Sequence, residues 1–224
     1  MGGTFVKTGL VLMSALALCG CAGMQAVKPS DDAMRSLHGA HLTVVTYGKS
    51  PFAAMTYGKA MFGGLGGLAA IGEGNDVIRN NDVPDPAVTV AAKLSPLLTA
   101  RLNASGADNI ADRDPDKNAE KDLAAAASGK GAMLDVQTMY WSFVYFPLDW
   151  THYHVIYTAR ARLIDAGSGQ VIAQAPCKFD TENDKPAPDY DTMMADKAAK
   201  LKAMLAEAAD ACTAGIEKDL LGTP

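Results

Sequence analysis

Two histidines, His152 and His154, carry the spacing in this chain that most suggests chemistry. Side chains two apart on a strand point to the same side, where two imidazoles could share a zinc or copper ion. No third or fourth ligand is evident, and His38 and His41 lie far away in sequence. We therefore read the pair as strand-end residues beside an aromatic turn and expect no metal. A metal-dependent hydrolase built on them is the reading that a zinc stoichiometry near one would revive. Gly64-Leu-Gly66-Gly-Leu-Ala69 matches G-x-G-x-x-A. That fingerprint needs a strand immediately before it, and the nearest strand signal ends at Tyr47, so no nucleotide cofactor is expected. Asp112-Arg-Asp114-Pro-Asp116 opens like a calcium loop, but Lys117 stands where Gly is needed and Leu123 where the bidentate Glu belongs. Ser142 sits in Trp-Ser-Phe-Val, not in a nucleophile elbow. Nothing here specifies a reaction, and the expectation is a protein that is not an enzyme.

A different kind of chemistry is concentrated between Tyr140 and Tyr157. Trp141, Phe143, Tyr145, Trp150 and Tyr153 fall within one hairpin whose two faces both read as apolar near the tip. Either the outer face is covered by residues 48–83 and the aromatics are core, or it is exposed and binds a partner. With residues 48–83, this hairpin is the expected working surface.

The elements that position these residues follow from periodicity. His41–Tyr47 is β-branched and alternating, a first strand. Residues 48–83 interrupt the pattern with Phe62-Gly-Gly-Leu-Gly-Gly-Leu-Ala-Ala-Ile-Gly72 and read as a glycine-rich insertion, with a flexible loop as one reading and close helix packing or a partner- or membrane-contacting segment as the other. Asp85-Pro86 opens a helix on which Val90, Leu94, Leu98 and Leu102 repeat, with Gly106 as its stop and Pro96 as a kink or a second start. A short strand near Asn109-Ile110 and a helix over 120–128 precede long strands over 133–146, 152–165 and 170–179. Asp191 caps a last helix whose stripe of Met194, Ala198, Leu201, Leu205, Ala208, Cys212, Ile216 and Leu220 runs to Gly222. The order predicts an α+β fold, a mixed sheet with helices on one face and a long C-terminal amphipathic helix.

Lys7 followed by an apolar run to Leu18 is too short to span a bilayer and reads as a secretory signal over 1–20. Residues 21–37 read as a tether and 38–224 as a single domain. Leu18-Cys19-Gly20-Cys21 resembles the lipobox of bacterial lipoproteins, and that resemblance implies a diacylglyceryl and an amide-linked acyl chain on Cys21, with a membrane partner through that lipid. Ala22, in place of the Asp that retains lipoproteins at the inner membrane, implies the outer membrane, facing the periplasm. Ala161-Arg-Leu-Ile-Asp-Ala-Gly-Ser-Gly-Gln-Val-Ile172 resembles the strand–turn–strand hairpin of envelope lipoproteins such as the curli-secretion channel subunit and the activators of penicillin-binding proteins. The resemblance implies a non-catalytic periplasmic binding, scaffold or assembly component, partnered by an envelope protein or by itself. The alternative is a subunit of an oligomeric secretion or transport complex. Export places Cys177 and Cys212 in an oxidising compartment, which favours a disulfide between them over two buried thiols. A net charge of −5 argues against nucleic acid as a partner.

Overall fold

The computed structural model describes residues 25–221. The expected signal, the lipidation residue Cys21 and the stop at Gly222 lie outside the described residues. Six strands form one mixed sheet: β1 (Leu42–Tyr47), β2 (Phe52–Met55), β3 (Ala107–Arg113), β4 (Ala132–Phe146), β5 (Asp149–Asp165) and β6 (Gln170–Asp180). Their order is β3-β1-β4-β5-β6, with β2 pairing to the upper part of β4. β1 runs parallel to β3 and β4, and β2 parallel to β4, whereas β5 is antiparallel to β4 and to β6. The helices are α1 (Asp31–Ser36), α2 (Tyr57–Ala60), α3 (Gly63–Asn80), α4 (Pro86–Leu102), α5 (Glu120–Ala126) and α6 (Tyr190–Leu221). The fold is α+β with a long C-terminal helix. α3, α4 and α6 bury their apolar sides in the main core, while short α5 covers the opposite face through Leu123, Met133 and Ile164.

Several local expectations are corrected. Residues 48–83 are not loop, because β2 hydrogen-bonds to β4 and α3 packs on β2. Within the expected tether, residues 31–36 are helical: the Ser30 hydroxyl accepts from Ala33 N and Met34 is buried. Val27 also pairs with Gln174 on the outer edge of β6. Pro96 is exposed on one continuous α4, which ends at Asn103 in the left-handed region rather than at Gly106. Asp189, not Asp191, caps α6, accepting from Thr192 N at 2.7 Å. The expected continuous stripe of α6 is broken at Ala195–Ala198, where Asp196, Lys197 and Ala198 take positive φ. Met193 before this left-handed turn and Leu201 after it are both buried in the core.

The long hairpin β4–β5 explains its own apolar ambiguity. A bulge between Thr138 and Tyr140 inserts one residue into β4. A one-residue insertion reverses which face every later side chain takes. Leu134, Val136 and Thr138 therefore share the core face with Trp141, Phe143 and Tyr145. Asp135 and Gln137 take the opposite face, where they stand directly across from Arg162 and Arg160.

Candidate functional site

The bulge places the aromatic candidates unequally. Trp141 and Phe143 are completely buried and Tyr153 nearly so, which assigns these three to the core and removes them as partner contacts. Phe52 of β2 packs edge-on against Trp141 at 5.1 Å and lies 5.8 Å from Phe143. The indole Nε1 of Trp141 donates to Ser50 O at 2.8 Å. Tyr145 is half-buried, edge-on to Tyr57. Trp150 alone of the five is exposed, stacked flat on the Tyr57 ring at 3.9 Å beside the fully exposed Leu148.

Tyr57 leads directly into the largest apolar exposure among the described residues. Met61, Phe62, Leu65 and Leu68 are 68%, 73%, 76% and 69% exposed. Met61 and Phe62 stand at the junction of α2 and α3, and Leu65 and Leu68, three apart on α3, share one side of it, while Tyr57 at the start of α2 joins Trp150 at the hairpin tip. The opposite side of α3 is built for contact: Gly66, Ala70, Gly74, Val77 and Ile78 are buried. A Cβ at Gly66 would collide with the Lys59 carbonyl, and one at Gly74 with the Phe52 carbonyl. Lys59 Nζ pairs with Glu73 Oε2 at 2.7 Å and donates to Ala54 O at 2.8 Å. Asn75 Oδ1 accepts from Phe52 N at 3.0 Å. The exposed face is thus presented on a fixed support. The run of uncharged residues from Met61 to Gly72 is the sequence signal for it, but which side of that run faces out is set by contacts with β2 that the sequence does not display.

The polar candidates are engaged structurally. His152 Nδ1 lies 2.7 Å from Asp149 Oδ2, and His154 Nδ1 2.8 Å from Asp180 Oδ1. Hydrogen bonds from His152 and Thr151 hold the Asp149 carboxyl down at about 2. Among the described residues, no three His, Cys, Asp or Glu side chains converge as metal ligands. The glycine fingerprint lies inside α3, not at a strand-to-helix turn. Cys177 of β6 and Cys212 of α6 form a disulfide across 35 residues, pinning helix to sheet. A groove of about 680 Å³ between α4, β1 and β3 is lined by residues such as Val44, Ala91, Ser95, Thr99, Asn109 and Ala111, with no titratable group among them.

One buried polar network went unrecognised in the sequence. Arg162, 2% exposed, donates through Nε to Asp135 Oδ2, through Nη1 to Glu120 Oε1 and through Nη2 to Asn118 O, each at 2.6 Å. The Tyr47 hydroxyl donates to the other Asp135 oxygen. Burial, then the Asp135 charge, push the Tyr47 phenol well above its ordinary range. Arg160 donates to Gln137 at 2.9 Å, and its Nε is buried without a partner. The network latches α5 and the loop before it onto the sheet. Its Asp135–Arg162 pair is closed to solvent, and opposite charges on facing strands at 135 and 162 were the signal for it.

No protein-family model and no curated protein matches the chain. Several solved structures are similar to it, three of them as follows. A putative neuraminyllactose-binding hemagglutinin homolog from Helicobacter pylori is 11% identical, with 83% of this chain and 86% of that one covered and a TM-score of 0.37. A PelC dodecamer from Paraburkholderia phytofirmans is 11% identical over 84% and 95% of the chains, with a TM-score of 0.32. Lipoprotein GNA1162 from Neisseria meningitidis is 14% identical over 78% and 98%, with a TM-score of 0.27.

Proposed function

We propose that this chain is an exported, lipid-anchored envelope component that binds or assembles proteins and performs no reaction of its own. In this reading Cys21 carries the lipid and holds the domain on the periplasmic side of the outer membrane. The domain then docks a protein through α2–α3 and the hairpin tip. The observation that carries it is the exposed face of Met61, Phe62, Leu65 and Leu68 continuing to Leu148 and Trp150. Soluble monomers rarely leave so much contiguous apolar surface in water unless it binds something. No helix among the described residues is long and apolar enough to cross a membrane, so attachment in this reading rests on the lipid. Interfacial helices that bind anionic lipid carry Lys and Arg beside the apolar face. No charge of either sign occurs between Met61 and Gly72, which favours a protein over a bilayer as the occupant.

The test is a photo-crosslinking residue placed at Leu68 of the full-length chain in intact cells. The expected product is a protein–protein adduct in the membrane fraction, lost when Leu65 is changed to Asp. Adducts to lipid alone, or none, would refute the reading.

A further inference from the structure

We infer that the occupant of the α2–α3 face is a second copy of this chain, with the two α3 helices crossing antiparallel near Leu68; this rests on the docking role proposed above. Area is the first argument. Met61, Phe62, Leu65, Leu68, Leu148 and Trp150 together leave on the order of 900 Å² of apolar surface in water on each chain. Two such faces closed on each other would remove up to about 1,800 Å², inside the range of stable interfaces, and each alone exceeds the roughly 300–600 Å² of the largest patch on a typical monomer.

Composition is the second argument. The face holds no charged residue from Met61 to Gly72, so it offers nothing to match the charge pattern of an unlike partner. Interfaces between identical chains are the more apolar class, and an uncharged face complements itself without repulsion even in a chain of net charge −5.

Shape is the third. Gly64 and Gly72, one turn either side of Leu68 and on its side of α3, are exposed and have open space where a Cβ would stand, unlike Gly66 and Gly74, which are pressed against backbone. The outward glycines therefore serve no packing within the chain. They lower the helix surface between the leucines, so that a second helix can approach closely and set its own Leu65 and Leu68 into the gaps. An antiparallel crossing opposes the two helix dipoles and lets Leu65 of each chain lie toward Ile71 of the other, with Gly64 opposite Gly72. One two-fold axis at Leu68 meets all of these conditions with the same residues on both sides.

The experiment uses the full-length chain in its native envelope with Leu68→Cys. Leu68 is 69% exposed, so the change leaves the core untouched. The expected result is a disulfide-linked species of twice the chain mass on a non-reducing gel. A Lys218→Cys control on the exposed side of α6 stays monomeric, and adding Leu65→Asp lowers the Leu68→Cys dimer at least tenfold. Wild-type protein in detergent sediments as a dimer and the Leu65→Asp variant as a monomer. A monomeric Leu68→Cys chain, or a monomeric wild type, overturns the second-copy assignment. If Leu68 nevertheless crosslinks to a different protein, the docking role stands and only the second copy falls. If Leu68 captures no protein at all, both fall.

Discussion

Asp135→Asn removes one charge from a site where the structure supplies little else to balance it. The Arg162 side chain is 3% exposed and that of Asp135 not at all, and the two meet at 2.6 Å. The other carboxylate on Arg162, Glu120, is 45% exposed, so water screens that pair and its net worth is under about 1 kcal/mol. Asn keeps the shape of Asp135 and leaves the guanidinium buried against a neutral amide. Stranding a buried charge in this way costs about 3–5 kcal/mol, a large share of the total stability of an ordinary domain. Urea unfolding at neutral pH with the disulfide intact reads the loss as a lowered midpoint at unchanged slope. Glu120→Gln, measured alongside, loses no more than about 1 kcal/mol. The Asp135→Leu/Arg162→Met double variant regains most of what the single change lost, because removing both charges removes the desolvation penalty as well. Since Arg162 also holds the Asn118 carbonyl, amide exchange at Leu123 of α5 rises in Asp135→Asn. A loss below about 1 kcal/mol, or a double variant less stable than Asp135→Asn, would show that the buried pair is not what fixes this face.

Two further outcomes are expected. Asp85, 4% exposed, caps α4 by accepting from Ala87 N at 2.9 Å and also accepts from Thr138. Burial raises its carboxyl above the ordinary value, against the lowering effect of those hydrogen bonds. A raised folded-state value means that this group's contribution is complete below the unfolded value, near 3.8, and is lost as pH rises through the folded one. Asn caps about as well, so thermal melts should show Asp85→Asn gaining on the wild type between pH 4 and pH 7; a constant difference refutes the sign. Asp85→Ala loses the cap at every pH, about 1–2 kcal/mol. Cys177→Ala/Cys212→Ala costs about 3–4 kcal/mol through the freed loop. A reductant brings wild-type melting down to the variant's, and a melting curve indifferent to reductant refutes the bridge.

The sheet was legible where one periodicity governs a whole element. β5 keeps Val155, Tyr157, Ala159, Ala161 and Leu163 inward along its length, and all are buried. β4 was harder because its period changes phase at the bulge. Polar Asp135 and Gln137 precede apolar Trp141 and Phe143 at the same parity, a pattern that no unbroken strand with one wet face can satisfy. That conflict was visible in the sequence as two apolar faces, and its resolution required the pairing with β5. β2 was lost for a different reason. Phe-Ala-Ala-Met is four residues long and acquires its identity only from the edge of β4 that it completes.

The orientation of α3 shows why the exposed leucines are not a packing failure that rotation could repair. Turning the helix to bury the leucines would carry the Leu65 side chain toward where Gly66 now lies, against the Lys59 carbonyl, where not even a Cβ fits, and would bring a neighbour with a side chain into the place of Gly74 against the Phe52 carbonyl. It would also break the pair between Lys59 and Glu73 and take Asn75 away from Phe52 N. Apolar burial of two leucines offers about 3–6 kcal/mol, but only if there is a cavity to receive them, and the surface there is backbone. The inward glycines therefore act as a key that admits one rotation of the helix, and that rotation leaves the leucines facing outward. A sequence reader sees glycines and leucines interleaved and reads flexibility. The positions of the contacts divide them into an inward set that locks the helix and an outward set that shapes a surface for another molecule.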